Sequence, residues 1–567
     1  MEGGANEREI ANGLVEKLHE AIKTSSVSST TIDRMSDKAA EFGLSVDECR
    51  CDDQKKAAEK IVNDIQEQSD YKKQQLPLQG DNWKKLSQLQ KEECRLKNCG
   101  DLGVEEYKCQ LQEKEKQIKQ EQRKCKLSEG MKTFIENLST NDKKKRFFFL
   151  KWMKLKLDTK SRSKLSVLHN SFKQASKKRD AKQIAELNEM MLNSSLGTEH
   201  YMREMGLIYE FSFDSQERTA STSHLPGLAA EMLLDGYPLE LLDGAASNIP
   251  QRWVTDVLME LYKKVGERSR LLVLTVLGVQ SSGKSTLLNT MFGVQFPVSS
   301  GRCTRGAYMV FLPVGQDLKQ ELNYDFVVLI DTEGLKSPDL AQLEDRYEHD
   351  NQLATFVIGL SDVTIINIAM ENATEMKDVL QITAHAFLRM KQIGKKPVCH
   401  FVHQNVAGVS AHSKCMTERQ HLLDQLNEMT QIAAEMERQS SIKAFTDVLD
   451  YDIEKNNWNI PGLWHGTPPM APVNTGYSEA VADFKKNLLE SMKSDGGNDP
   501  AQIPQFLEGV KSLWKAVKYE NFIFSFRNTL VAHAYNNLCK DFTQWEWEFR
   551  KEILSWQTEA EHLNQKC

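Results

Sequence analysis

Apolar residues run without a break through Leu271-Leu272-Val273-Leu274-Thr275-Val276-Leu277, the pattern of a strand buried on both faces rather than on one. Comparable runs predict strands over 306–313, 324–330, 361–368 and 397–403. Between them the apolar spacing becomes helical, predicting a helix from 285, one near 340–358 and one over 375–392. Strands alternating with helices from about 266 to 500 predict an α/β domain with a mostly parallel sheet covered on both faces. Residues up to about 235 are instead rich in Lys, Glu, Gln and Leu, with few strand signals. Within them 104–126 reads as a solvated helix or linker, because its apolar positions sustain no heptad. Residues 503–563 return to helical spacing with many aromatics, a stripe that normally packs against other helices. The domains expected are an unassigned helical or partly disordered segment over 1–75, a helical region over 76–250, the α/β domain over 266–500, and a helical region over 503–567.

Turn signals at Leu225-Pro226-Gly227, Leu242-Asp243-Gly244 and Ile249-Pro250 mark the approach to the α/β domain, and Asp495-Gly496-Gly497-Asn498-Asp499-Pro500 reads as a linker after it. Lys143-Lys144-Lys145-Arg146 precedes Phe147-Phe148-Phe149-Leu150-Lys151-Trp152. Such a pairing fits a membrane-surface or nuclear-import patch, but a helix with a basic rim and a buried aromatic face accounts for it more simply.

Composition narrows the class. At 567 residues the chain has length for about three or four domains. A charged fraction of 27% and a net charge of −7 do not suggest a general nucleic-acid binder. No apolar run reaches the roughly eighteen residues of a transmembrane helix. The first residues lack the basic start and apolar core of a signal peptide, so the eleven cysteines are expected to be reduced, in the cytosol or nucleus. Cys49, Cys51, Cys94 and Cys99 are not spaced as a zinc site.

The strand at 271–277 runs into Gly278-Val279-Gln280-Ser281-Ser282-Gly283-Lys284-Ser285, which fits G-x-x-x-x-G-K-[ST] at every fixed position. Thr286 and the helical spacing after it complete strand, glycine loop and helix. That arrangement aims backbone N–H groups and a helix N-terminus at a phosphate. Lys284 would reach the β- and γ-phosphates of a nucleoside triphosphate, and the Ser285 hydroxyl would ligate Mg²⁺.

A second element follows the strand at 324–330. Asp331-Thr332-Glu333-Gly334 is a D-x-x-G sequence, in which Asp331 would hold Mg²⁺ through water and the Gly334 N–H would meet the γ-phosphate. Between the two lies Ser299-Ser300-Gly301-Arg302-Cys303-Thr304-Arg305-Gly306. Thr304 is the candidate to close over Mg²⁺ and γ-phosphate. Arg302 or Arg305 would bring positive charge to the transition state, or else both are surface arginines of a loop. The base-reading element departs from [NT]-K-x-D. His403-Gln404-Asn405 ends the strand at 397–403 and offers an amide but no acid, so these residues leave GTP and ATP both open.

Several stretches resemble the very large inducible GTPases, the giant interferon-inducible relatives of dynamins and guanylate-binding proteins. They include Leu76-Pro77-Leu78-Gln79-Gly80 with Trp83, Phe149-Leu150-Lys151-Trp152, Arg203-Glu204-Met205-Gly206, Ile208-Tyr209-Glu210, and the run from Leu225 to Gly244. The core of the resemblance is Val279 to Asn289 and Gly301 to Gly306, with His403-Gln404-Asn405-Val406 similar to that family's divergent base element. It covers roughly residue 75 to the end. The resemblance implies GTP with Mg²⁺, a P-loop GTPase domain of the larger, self-associating kind flanked by helical regions, and a cytosolic, also nuclear, protein of innate immunity. It also implies a water-network role for Glu333, and for Ser281 a role near the β–γ bridging oxygen. Members are usually several times longer, so a fragment or short paralogue is expected. Hydrolysis is the favoured activity, with a slow GTP-binding scaffold as the alternative, since Leu335 stands where a water-orienting glutamine would follow Gly334.

Overall fold

A computed structural model describes residues 51–100, 102–178, 181–212, 222–266, 269–280, 282–296, 304–335, 344–369, 373–392, 398–406, 412–436, 441–464, 471–494, 500–519, 541–542 and 544–557. The chain forms two compact units, one of residues 1–65 and 133–157, the other of 66–132 and 158–567.

In the smaller unit the aromatic run lies within the helix Lys143–Lys178. Phe149, Trp152 and Met153 are buried while Phe147 is exposed, as a helical face requires. Phe149 packs on Phe134 at 5.7 Å between ring centres, and Lys55 stands 4.8 Å over the Trp152 ring. Arg146 is buried rather than rim-exposed, donating from Nη2 to the Thr140 carbonyl at 2.9 Å.

The larger unit is built on a seven-stranded sheet in the order β1-β3-β4-β2-β5-β6-β7. Its strands are β1 Leu239–Leu242, β2 Leu271–Gly278, β3 Ala307–Pro313, β4 Phe326–Thr332, β5 Val363–Ala369, β6 Val398–Gln404 and β7 Asn457–Ile460. From β4 through β2, β5 and β6 to β7 every pairing is parallel. β3 runs antiparallel to β4, and β1 antiparallel to β3. This is a mostly parallel α/β sheet, and the five predicted strands occupy its centre. β1 and β7, both at the edges, were not predicted. Leu225-Pro226-Gly227 is not a turn but the start of the helix Leu225–Leu234, with proline in the first turn where its missing N–H is harmless. The 104–126 stretch is the helix Val104–Lys124, mostly solvated, with Leu111 and Gln122 buried. The linker read at 495–500 lies almost wholly outside the described residues.

Alternate residues of β2 point to opposite faces. Leu272, Leu274 and Val276 join a core with Leu287 and Met291 of the helix Lys284–Phe292, and with Val481, Phe484 and Leu488 of the helix Thr475–Ser494. Helix Glu344–Leu360 packs on helix Ile503–Tyr519, with Phe356 set edge-on to Trp514 at 5.5 Å. The C-terminal ends of β2, β4, β5 and β6 meet at one edge of this sandwich, where ligands of open α/β sheets bind.

His400 of β6 is buried, with its ring 5.8 Å from Phe484 and neither nitrogen hydrogen-bonded among the described residues. Burial pushes its pKa from 6.5 down to about 4. The unfolded chain therefore takes up a proton below pH 6.5 that the folded chain refuses, so this group weakens the fold as pH falls from 6.5 toward 4. His400→Phe removes that titration. Its stability relative to the unsubstituted chain should rise by about 2 kcal/mol from pH 7 to pH 5 in urea unfolding. An unchanged difference would mean that the folded chain protonates this ring.

Candidate nucleotide site

β2 ends at Gly278 in a glycine-only conformation, with φ of 152°. A Cβ there would fall 2.1 Å from the Asn367 carbonyl oxygen of the neighbouring strand. Glycine lets the chain leave the sheet at this point and wrap the loop. Gly283 caps the following helix in the left-handed region, and Lys284 is that helix's first residue. The Lys284 side chain is buried and folds back over the loop, its Nζ donating to the carbonyls of Gly278 at 3.2 Å and Val279 at 3.0 Å. The ammonium group is thereby held inside the turn that would surround a phosphate. Ser282 donates to the Val279 carbonyl at 2.8 Å, and Thr286 sits in the first helical turn. Ser281 lies outside the described residues.

Three oxygen ligands from three separate segments converge beside Lys284. The Ser285 hydroxyl donates to Asp331 Oδ2 at 2.6 Å, Thr304 donates to the same oxygen at 3.1 Å, and the two hydroxyls are 3.2 Å apart. Burial pushes the Asp331 carboxyl above its usual pKa, against the hydrogen bond from Ser285 and the charge of Lys284. Its Oδ1 is buried with no hydrogen-bond partner among the described residues. Two hydroxyls and a buried carboxylate with a free oxygen form a hard-oxygen donor set, the kind Mg²⁺ takes together with phosphate oxygens. The residues fit that ion.

Gly334 follows at closest approach to the loop. A Cβ on it would lie 2.2 Å from Gln280 Cα, and the Leu335 N–H donates to the Gly278 carbonyl at 3.0 Å. The D-x-x-G turn is thus pressed directly against the phosphate loop. Glu333 points elsewhere. Its buried carboxylate accepts from the Gly306 N–H at 3.0 Å and meets His349 Nε2 through the other oxygen. Arg302 lies outside the described residues, while Arg305 is half-buried at the start of the β3 segment.

Gln404, expected near the base, bonds within the protein. Its amide donates to Asn367 Oδ1 at 3.1 Å, and Asn367 in turn donates to the Ser282 carbonyl at 2.7 Å and hydroxyl at 3.0 Å. Gln404 therefore braces the phosphate loop through Asn367. Asn367 escaped the sequence reading, and the only signal for it was one amide inside the apolar run of β5. Asn405 is exposed, with φ of 61°, and its Oδ1 lies 3.7 Å from where a Gly462 Cβ would stand. β6 and the loop after β7 thus present Asn405 and Gly462 together at the sheet edge.

The family model for the URGCP-like GTPase domain matches residues 90–478. The chain belongs to this family. A second match, to the interferon-induced very large GTPase 1 domain, covers residues 532–565. Interferon-induced very large GTPase 1 of Mus musculus is 38% identical over 572 residues, which is 97% of this chain and 23% of that protein. The Homo sapiens protein of the same name is 35% identical over 98% of this chain and 24% of its own length. Up-regulator of cell proliferation from Homo sapiens is 36% identical over 85% of this chain and 52% of its own length. The chain therefore spans between about a quarter and a half of these relatives. The resemblance to the very large inducible GTPases holds, and the site described above lies within the segment that the GTPase-domain model matches. Among the described residues no helix is long and apolar enough to cross a membrane.

Proposed function

We propose that the chain binds GTP with Mg²⁺ and hydrolyses it to GDP and phosphate. The meeting of Ser285, Thr304 and Asp331 oxygens within 3.2 Å beside a buried Lys284 carries this reading. Lys284 and the loop N–H groups bind and orient the β- and γ-phosphates. Ser285, Thr304 and Asp331 would hold the ion, and Thr304 would close its segment over the γ-phosphate. Bound Mg²⁺ would offset the charge that develops on the phosphate oxygens. Arg302, Arg305 and Ser281 are the candidates for further charge stabilisation, and Glu333 for ordering the water network. The name of two relatives, interferon-induced very large GTPase 1, supports an interferon-linked role; to it we add innate immunity, a place in cytosol or nucleus, and self-association through the GTPase domain.

A slow, scaffold-like GTP-binding protein is the second reading. It is favoured by Leu335 in the place of a water-orienting glutamine and by protein contacts on both Glu333 oxygens. Single-turnover hydrolysis at several protein concentrations separates the two. A rate that rises with concentration supports a self-associating GTPase; GTP binding without turnover at any concentration supports the scaffold.

Base selection is expected to depend on Asn405. Its amide can donate to guanine O6 or N7 but cannot accept from the N1–H and N2–H pair as an aspartate would. Asn405→Ala should lower the preference for GTP over ATP by ~1–3 kcal/mol in competition binding. Unaltered discrimination would move base recognition to the Gly462-Leu463-Trp464 loop.

A further inference from the structure

Glu333 and His349 lie on a line of polar contacts that runs from the D-x-x-G turn to the helix Asp81–Arg95. The Glu333 carboxylate is gripped twice, by the Gly306 N–H at 3.0 Å and by His349 Nε2. The Glu333 N–H also donates back to the Gly306 carbonyl at 2.7 Å. Gly306 is two residues from Thr304, which bonds to Asp331. Asp331 and Glu333, two positions apart on the end of β4, therefore hold Thr304 and Gly306, two positions apart before β3. On its other side His349 Nδ1 is 3.1 Å from the Ser247 hydroxyl. Lys91 Nζ donates to that hydroxyl at 3.1 Å and to Gln352 Oε1 at 3.0 Å. Ser87 donates to the Ser247 carbonyl at 3.0 Å. Ser247 has a φ of 49°, a left-handed conformation that a serine keeps only where its surroundings fix it.

An ammonium can only donate, so Ser247 accepts from Lys91, and its own proton goes to His349 Nδ1 at 3.1 Å or to Gln352 Oε1 at 3.4 Å. A carboxylate can only accept, so His349 meets Glu333 with a proton on Nε2. Asp350 also lies close, with one ligand atom each of Glu333, His349 and Asp350 within 4.8 Å of one another. Both Glu333 oxygens are already taken by N–H donors, so this cluster is a hydrogen-bond relay rather than a cation site.

We propose that His349 is a positioning residue of the GTPase site: it fixes the Glu333 carboxylate on the Gly306 N–H, holds the Thr304 segment against the D-x-x-G turn, and takes its own orientation from Ser247 and Lys91. The proposal rests on the GTPase reading above and adds to it a route by which the helix Asp81–Arg95 sets the geometry of the Thr304 segment. His349 touches no nucleotide atom in this scheme and acts only through Glu333.

Two readouts test it. Hydrogen–deuterium exchange follows the peptide containing Gly306, whose amide should exchange at least about tenfold faster in His349→Ala. Single-turnover hydrolysis should fall about tenfold or more in the same variant while GTP and GDP affinities stay within about threefold. His349→Gln, which restores an N–H donor, should recover part of both. Lys91→Met should move both readouts the same way, and the double variant should lose little more than His349→Ala alone. Unchanged Gly306 protection in His349→Ala, or fully additive losses in the double variant, overturns the proposal. Where His349→Ala does not fold, His349→Gln and Lys91→Met decide it, and full protection of Gly306 in Lys91→Met counts against it. An unsubstituted chain that binds GTP without turnover defeats the GTPase reading alone, because the exchange measurement still tests His349.

Discussion

Replacing Lys284 by alanine should abolish triphosphate binding and leave the chain folded. The side chain is buried inside the phosphate loop, where it donates to two loop carbonyls at 3.0 and 3.2 Å. A bound triphosphate would receive the same ammonium as charge-assisted hydrogen bonds on its β- and γ-oxygens. Each such bond contributes about 1.5–3 kcal/mol. Losing two weakens affinity by roughly a hundredfold to ten-thousandfold. The fold changes little, since the core lies in the apolar faces of β2 and the helices on it, which Lys284 does not fill. Titration with a fluorescent GTP analogue, alongside a thermal melt, gives the answer. Retained affinity in a folded Lys284→Ala sample would remove the phosphate-loop assignment.

Gly334→Ala should be comparably damaging by a steric route. The added Cβ would stand 2.2 Å from Gln280 Cα and 2.5 Å from Gln280 N, both backbone atoms. No rotamer change relieves a clash with backbone, so the D-x-x-G turn or the phosphate loop must move. Overpacking of this kind costs about 1–3 kcal/mol of stability. The greater loss falls on nucleotide binding, because loop N–H groups and Asp331 can no longer address one phosphate chain together. GTP affinity is expected to drop at least about a hundredfold, with the melting temperature falling by a few degrees. Wild-type affinity with only a lowered melting temperature would make the contact structural and separate it from binding.

The central sheet was readable because strands buried on both faces, parallel or not, must be apolar at nearly every position. β2, β3, β4, β5 and β6 all announce themselves that way and begin within two residues of the predicted starts. β1 and β7 did not, because four-residue edge strands such as Leu239–Leu242 and Asn457–Ile460 carry too few positions to show a period. The misreading at Leu225-Pro226-Gly227 has a different cause. Proline and glycine punctuate turns, but in a helix's first turn proline is tolerated and the next helix supplies packing that propensity ignores.

The site divides along the same line. The sequence determined by itself that Lys284 and Ser285 open the helix after β2 and that Asp331 and Gly334 stand at the end of β4, because a motif fixes residue types over a few positions of one strand–loop–helix unit. That local grammar was sufficient to place the glycine loop and the D-x-x-G turn. Only the tertiary structure decided that Thr304 joins Ser285 on Asp331, that Gln404 serves the phosphate loop through Asn367, and that Glu333 is held by His349 and, through it, by Ser247. These partners come from different strands and helices, separated along the chain by up to 102 residues. A hydrogen bond depends on distance in space, and no period or spacing in a sequence records which distant side chains the packing of a sheet brings within hydrogen-bond reach.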